Sequence, residues 1–242
     1  MLSFLFIGIL SAPFVIKPAH AYTAISIIYI RSTGAVDPTT APIVRTGDLY
    51  TFSGDISSNF ANAIVIQKSN IVLDGAGFSL HGSKVSKSNG IELANANNVN
   101  VNNVTIKNLS IDSFDNGIHL STSTHNVISG NTITGSIEAA IYLYYSYFNN
   151  ITRNRLISNF DGIRLNSANY NSITCNNITS NSWGIYFLDS QGNQIFHNNL
   201  IGNTLNAYGT WDLGFPSPGN TWDNGYPSGG NYWSDYNGID AN

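Results

Sequence analysis

The chain has 242 residues, a net charge of −4 and only 10% charged side chains. Its 10 Lys and Arg form no cluster, which excludes the basic footprint that a nucleic-acid partner requires. A lone cysteine, Cys175, excludes an internal disulfide.

Residues 1–21 read as a secretory signal peptide. Leu2 to Ile16 is apolar, and Ala19-His20-Ala21 is a small-x-small cleavage site before Tyr22. The run is short of the ~20 apolar residues of a membrane span. Residues 22–58 then read as an N-terminal cap, because a solenoid must cover its exposed first coil. This segment carries the apolar run Ile25 to Ile30, a loop with Pro38 and Pro42, and Leu49-Tyr50-Thr51-Phe52.

Residues 59–205 read as stacked repeats. Ile64-Val65-Ile66 and Ile71-Val72-Leu73 are the first strands, and Asp74-Gly75-Ala76-Gly77 turns the chain into Phe78-Ser79-Leu80. Gly90-Ile91-Glu92-Leu93 opens a phrase that recurs as Gly117-Ile118-His119-Leu120, Ala140-Ile141-Tyr142-Leu143, Gly162-Ile163-Arg164-Leu165 and Gly184-Ile185-Tyr186-Phe187. From Ile118 the steps are 23, 22 and 22 residues. A second phrase alternates with it and centres on Asn131, Asn154, Asn176 and Asn198, with the same steps.

A fixed period in the low twenties marks a solenoid whose units bury their apolar side chains only by stacking. Ile and Leu two apart share one strand face, and the residue between them points the other way. In the second phrase two apolar residues lie five apart, so both point inward only if the chain bends near the Asn. Stacked at such a bend, each Asn amide donates to the Asn one coil on, and Asn tolerates the left-handed backbone of tight turns. The expected fold is all-β, a right-handed parallel β-helix of about six to eight coils capped at both ends. The rival is a leucine-rich repeat of overlapping period, but Leu is sparse and the returns are rich in Asn, Ser and Thr, which are poor helix formers.

After Leu200 the register dissolves, and residues 206–242 read as an aromatic, Gly-rich C-terminal cap. Trp211, Trp222, Tyr226, Tyr232, Trp233 and Tyr236 would cover the last coil, or offer rings to a sugar. Asp240-Ala241-Asn242 is the first half of an Asp-x-Asn-x-Asp-Gly calcium loop, so the ending reads as a truncation.

The phrases Asn-x-Ile-x-x-Asn-x-Ile and Gly-Ile-x-Leu, over roughly residues 60–205, resemble the NosD-type family of pectin-lyase-like right-handed β-helices, also described as carbohydrate-binding and sugar-hydrolase repeats. The stretch from Trp222 to Tyr236 is similar to the tail of secreted, archaeal-type members, and Ile28-Tyr29-Ile30-Arg31 to Ile43 is similar to their N-terminal segment. The family name implies periplasmic copper handling in nitrous oxide reductase maturation. One Cys, one Met and five scattered His are a poor copper set; Cys175 and His197 share a slot one coil apart but make only two ligands.

Stacking brings residues one repeat apart side by side. Glu92, His119, Tyr142, Arg164 and Tyr186 should form an outward column, extended on the same strands by Tyr144 and Asn166. His119, Tyr142, Tyr144, Arg164 and Tyr186 are the candidate carbohydrate-binding residues, with rings for sugar faces and charges for hydroxyls or uronates. Asp115, Glu138 and Asp161 are the candidate metal ligands. Three carboxylates within two coils repel unless protonated or bridged, and calcium suits oxygen ligands. The same carboxylates could instead be the acid/base pair of a glycoside hydrolase. Asn103, Asn108, Asn150 and Asn177 begin Asn-x-Ser/Thr sequons.

The expected function is that of a secreted, cell-surface or periplasmic NosD-like β-helix. It would be a non-catalytic carbohydrate-binding or structural module with a polysaccharide or envelope glycan as partner. A calcium-dependent polysaccharide lyase or glycoside hydrolase, and a copper-handling accessory protein, are the alternatives.

Overall fold

The computed structural model describes residues 22–24, 26–93, 100–210 and 219–236. The signal-peptide reading, Trp211 and the Asp240-Ala241-Asn242 ending lie outside the described residues. Within them there is no helix, and none is long and apolar enough to cross a membrane. The chain is a right-handed parallel β-helix wound from three sheets, so the leucine-rich alternative is discarded.

The broad sheet has nine strands, running from Leu205–Thr210 through Trp183–Leu188, Asp161–Asn166, Ala139–Tyr144, Asn116–Ser121, Asn89–Leu93 and Asn62–Ile66 to Ile28–Ile30 and Val36–Asp37. Every Gly-Ile-x-Leu phrase lies here. Ile64, Ile91, Ile118, Ile141, Ile163 and Ile185 stack in register and are fully buried. A second sheet of eight strands includes Asn150–Thr152 and Ser172–Thr174, and a third of nine includes Arg155–Ile157 and Asn177–Thr179. Side chains from all three sheets meet in one core cluster along the axis.

The expected bend is present between the second and third sheets. Asn131 donates from Nδ2 to Asn154 Oδ1 at 3.1 Å, Asn154 to Asn176 at 3.0 Å and Asn176 to Asn198 at 3.0 Å. Each Oδ1 also accepts the backbone N–H of the preceding ladder residue. Two further ladders mark the other corners. One runs Asn126, Asn149, Asn171, Asn193 and Asn220, and the other Asn159, Asn181 and Asn203. The left-handed residue is not the ladder Asn but the one before it: Arg153 at φ 56°, Cys175 at 59° and His197 at 58°. A non-glycine residue there costs roughly 1–2 kcal/mol, which the amide bonds to buried backbone groups offset.

The ends differ from the sequence reading in detail. Residues 22–58 contribute coil strands of their own: Tyr22–Thr23, Ile28–Ile30 and Leu49–Phe52 all pair in parallel with the next coil. Val36–Asp37 and Ile43–Thr46 then add antiparallel edges. At the far end pairing continues past Leu200, with Ile185 opposite Ala207 and Tyr186 opposite Tyr208. Trp222 and Trp233, 5.4 Å apart, pack against the core. Asn220 and Asn231 extend two ladders into this segment, so the amide slot persists where the residue spacing does not.

Candidate functional site

Alternation along the broad sheet sends the residue between the inward Ile and Leu of each coil outward. Strand register stacks Tyr29, Val65, Glu92, His119, Tyr142, Arg164, Tyr186 and Tyr208 in one column. At ~4.8 Å per strand it is roughly 34 Å long. Glu92 joins in register despite its 27-residue step to His119. Near the N-terminal end a hollow of about 420 Å³ is lined by Ser26, Ile27, Tyr29, Arg31, Asp37 and Phe60.

From Glu92 to Tyr208 the column is continuous in contact. His119 Nδ1 lies 2.7 Å from Glu92 Oε2, and its ring stacks on Tyr142 at 4.9 Å. The Arg164 guanidinium sits 5.7 Å from the Tyr142 ring and 5.3 Å from the Tyr186 ring, within cation–π range. Tyr186 stacks on Tyr208 at 6.0 Å. Tyr144, beside Asn166 in the next row, meets Tyr142 edge-on at 6.2 Å. Burial pushes the Tyr142 phenol's pKa upward, and its oxygen accepts from Asn166 Nδ2 at 3.2 Å. All five expected carbohydrate-binding residues therefore lie together on one face.

A parallel row on the same face was not apparent from the sequence: Asn62, Asn89, Asn116, Ala139, Asp161 and Trp183. It faces outward because the following position turns inward; a Cβ on Gly162 would lie 2.6 Å from Ile178 Cγ2. Asn116 donates to Asn89 Oδ1 at 3.1 Å and Asn89 to Glu92 Oε2 at 2.7 Å. Trp183 lies 4.9 Å from Tyr186 and 5.3 Å from Tyr208. The signal was there: Asn116, Ala139, Asp161 and Trp183 are 23, 22 and 22 residues apart.

The three acidic candidates separate. Arg164 Nε donates to Asp161 Oδ2 and Nη1 to Glu138 Oε1, each at 2.6 Å. Asp115 instead accepts the backbone N–H of Lys87. Arg164 thus occupies the place a cation would take between Glu138 and Asp161. Asp161 is fully buried, and burial raises its pKa to about 6 against the lowering effect of Arg164, with Glu138 adding a further upward push. Three of the five buried side-chain atoms without a hydrogen-bond partner among the described residues lie here: Asn116 Oδ1, His119 Nε2 and Asp161 Oδ1.

The raised Asp161 pKa gives a testable sign. Between 3.8 and about 6 the folded chain holds a proton that the unfolded chain has released. The stability from this group is full below the lower value and lost as pH rises through the upper one. Thermal melts across this range should show the unmodified chain losing stability with rising pH relative to Asp161→Asn. Parallel curves would contradict the assignment.

Copper does not fit the described residues. His81 pairs with Asp112, His119 with Glu92, His125 stacks on Phe148, and His197 Nε2 lies 2.8 Å from the Ser228 carbonyl oxygen. No group of three or more His, Cys, Asp or Glu among the described residues is placed to hold a metal ion.

The model of the family described as "Periplasmic copper-binding protein (NosD)" matches residues 36–238. The chain belongs to the NosD family. Among solved structures it is similar to the periplasmic alginate epimerase AlgG, with TM-score 0.51 and 17% identity over 66% of this chain and 39% of that one. A variant of that epimerase gives TM-score 0.44 at 18% identity. This NosD-family chain thus spans about two fifths of the epimerase's length, and the likeness is one of fold. No curated protein matches it.

Proposed function

We propose that this NosD-family chain is an exported, non-catalytic polysaccharide-binding protein, and that the outward face of its broad sheet is the binding surface. The observation that carries this is the unbroken column from His119 to Tyr208, in which rings and one guanidinium lie side by side on a rigid sheet. Rings on such a face present flat apolar surface at little entropic cost. A secreted or periplasmic location fits both the family description and the structural neighbour, and the partner would be a polysaccharide or envelope glycan.

The acid/base alternative receives less support. Asp161 has the raised pKa of a general acid, but it lies buried against Arg164, whereas a general acid must come within about 3 Å of the proton it transfers. The calcium alternative is not carried further, since Glu138 and Asp161 already share Arg164.

Affinity electrophoresis through polysaccharide-containing gels tests the reading. Tyr142→Ala and Tyr186→Ala should each weaken binding roughly 10-fold. Tyr170→Ala removes an exposed ring at a coil corner and should leave binding unchanged. Equal losses in all three would remove the face from consideration.

A further inference from the structure

We infer, resting on that reading, that the face takes an uncharged polysaccharide and rejects polyuronates. The side chains on the central face carry three carboxylates, Glu92, Glu138 and Asp161, against the single guanidinium of Arg164. Even a proton on His119 leaves the face net negative. At its edge Asp115 adds a further carboxylate, which accepts the Lys87 backbone N–H, and near its N-terminal end Arg31 is paired with Asp37.

The guanidinium is also committed. Receiving a ligand carboxylate requires a bidentate fork or a free cation, and Arg164 spends Nε on Asp161 and Nη1 on Glu138. A uronate arriving here would meet two carboxylates already holding the only arginine in the column.

Asn116 Oδ1 and Asp161 Oδ1 are acceptors just beneath this face, in residues more than nine-tenths buried, and no donor among the described residues reaches either. Their residues flank Ala139 in adjacent strands, where the side chain is one methyl. Their partial negative charge, lying beneath the face, adds to the repulsion of an ionised carboxylate and leaves a neutral sugar unaffected. The flanking rings Tyr142, Tyr186, Trp183 and Tyr208 supply apolar contact that needs no charge on the ligand.

The test runs the chain against neutral glucans and mannans and against alginate and polygalacturonate, at low and high salt. The expected result is retention by a neutral polymer, lost in Tyr142→Ala and changed less than about twofold by salt, with no retention by the polyuronates. Glu138→Ala removes one carboxylate and frees Arg164 Nη1, and should gain salt-sensitive retention by a polyuronate. If that variant gains nothing, charge does not set the selectivity and the inference falls. If the unmodified chain binds a polyuronate in a Tyr142-dependent, salt-sensitive way, the inference is overturned while the binding face stands. If no polymer is retained through Tyr142, the face itself is wrong, and this inference falls with it.

Discussion

Asn154→Ala should destabilise the chain by about 3 kcal/mol, because it strands several buried polar groups at once. The Asn154 side chain accepts from the Asn131 backbone N–H and from Asn131 Nδ2, at 3.0 and 3.1 Å. It donates to the Ile128 carbonyl at 2.9 Å and to Asn176 Oδ1 at 3.0 Å. Asn154 is 1% exposed, so water cannot reach these partners, and each orphaned group costs about 1–3 kcal/mol. In a chain of this length the melting temperature should fall by roughly 6–12 °C. Asn150→Ala, four residues earlier and exposed, should change stability by less than about 0.5 kcal/mol. Calorimetry on the pair measures the contrast; similar losses for both would mean the ladder is not what holds the corner.

Arg164→Met should cost about 3 kcal/mol at pH 8, and most of that should return near pH 4. Methionine keeps the aliphatic bulk but removes the guanidinium that neutralises a fully buried Asp161. An uncompensated buried carboxylate is strongly destabilising. Its folded-state pKa, already about 6, rises further without Arg164. Below the ordinary value of 3.8 the group is neutral in both folded and unfolded chains, so the penalty vanishes there and grows as pH rises. Adding Asp161→Asn to Arg164→Met should recover stability at pH 8, which a double-mutant cycle reads directly. A pH-independent loss, or no recovery in the double variant, would mean Arg164 acts through packing alone.

The sequence and structure agree most closely where side-chain period and strand period coincide. Ile118, Ile141, Ile163 and Ile185 fall in register because 22 or 23 residues make one coil, and the residue after each Ile points outward by alternation. That alone places His119, Tyr142, Arg164 and Tyr186 side by side. The Asn131 to Asn198 ladder follows from the same count. The Asn126 and Asn159 ladders repeat with it too, and counting every Asn by coil position would have found them. Other features depend on reach rather than on period. Arg164 joins Glu138 and Asp161 because a long side chain spans a strand spacing, and no residue spacing encodes that choice. Asn220 and Asn231 enter their ladders 27 and 33 residues after the preceding member, so the inserted chain hides the register that the amide slot preserves. The left-handed φ falls on Arg153, Cys175 and His197, residue types that do not advertise it.

The central claim is that the outward face of the broad sheet meets polysaccharide. Hydroxyl-radical footprinting of the chain, with and without a saturating neutral oligosaccharide, tests it most directly. Tyr142, Tyr144, Tyr186 and Tyr208 should be protected, while Tyr170 at the coil corner and the fully exposed Tyr226 keep their reactivity. Protection of Tyr226 and Tyr232 with the column unchanged would contradict the account and move the binding surface to the C-terminal segment.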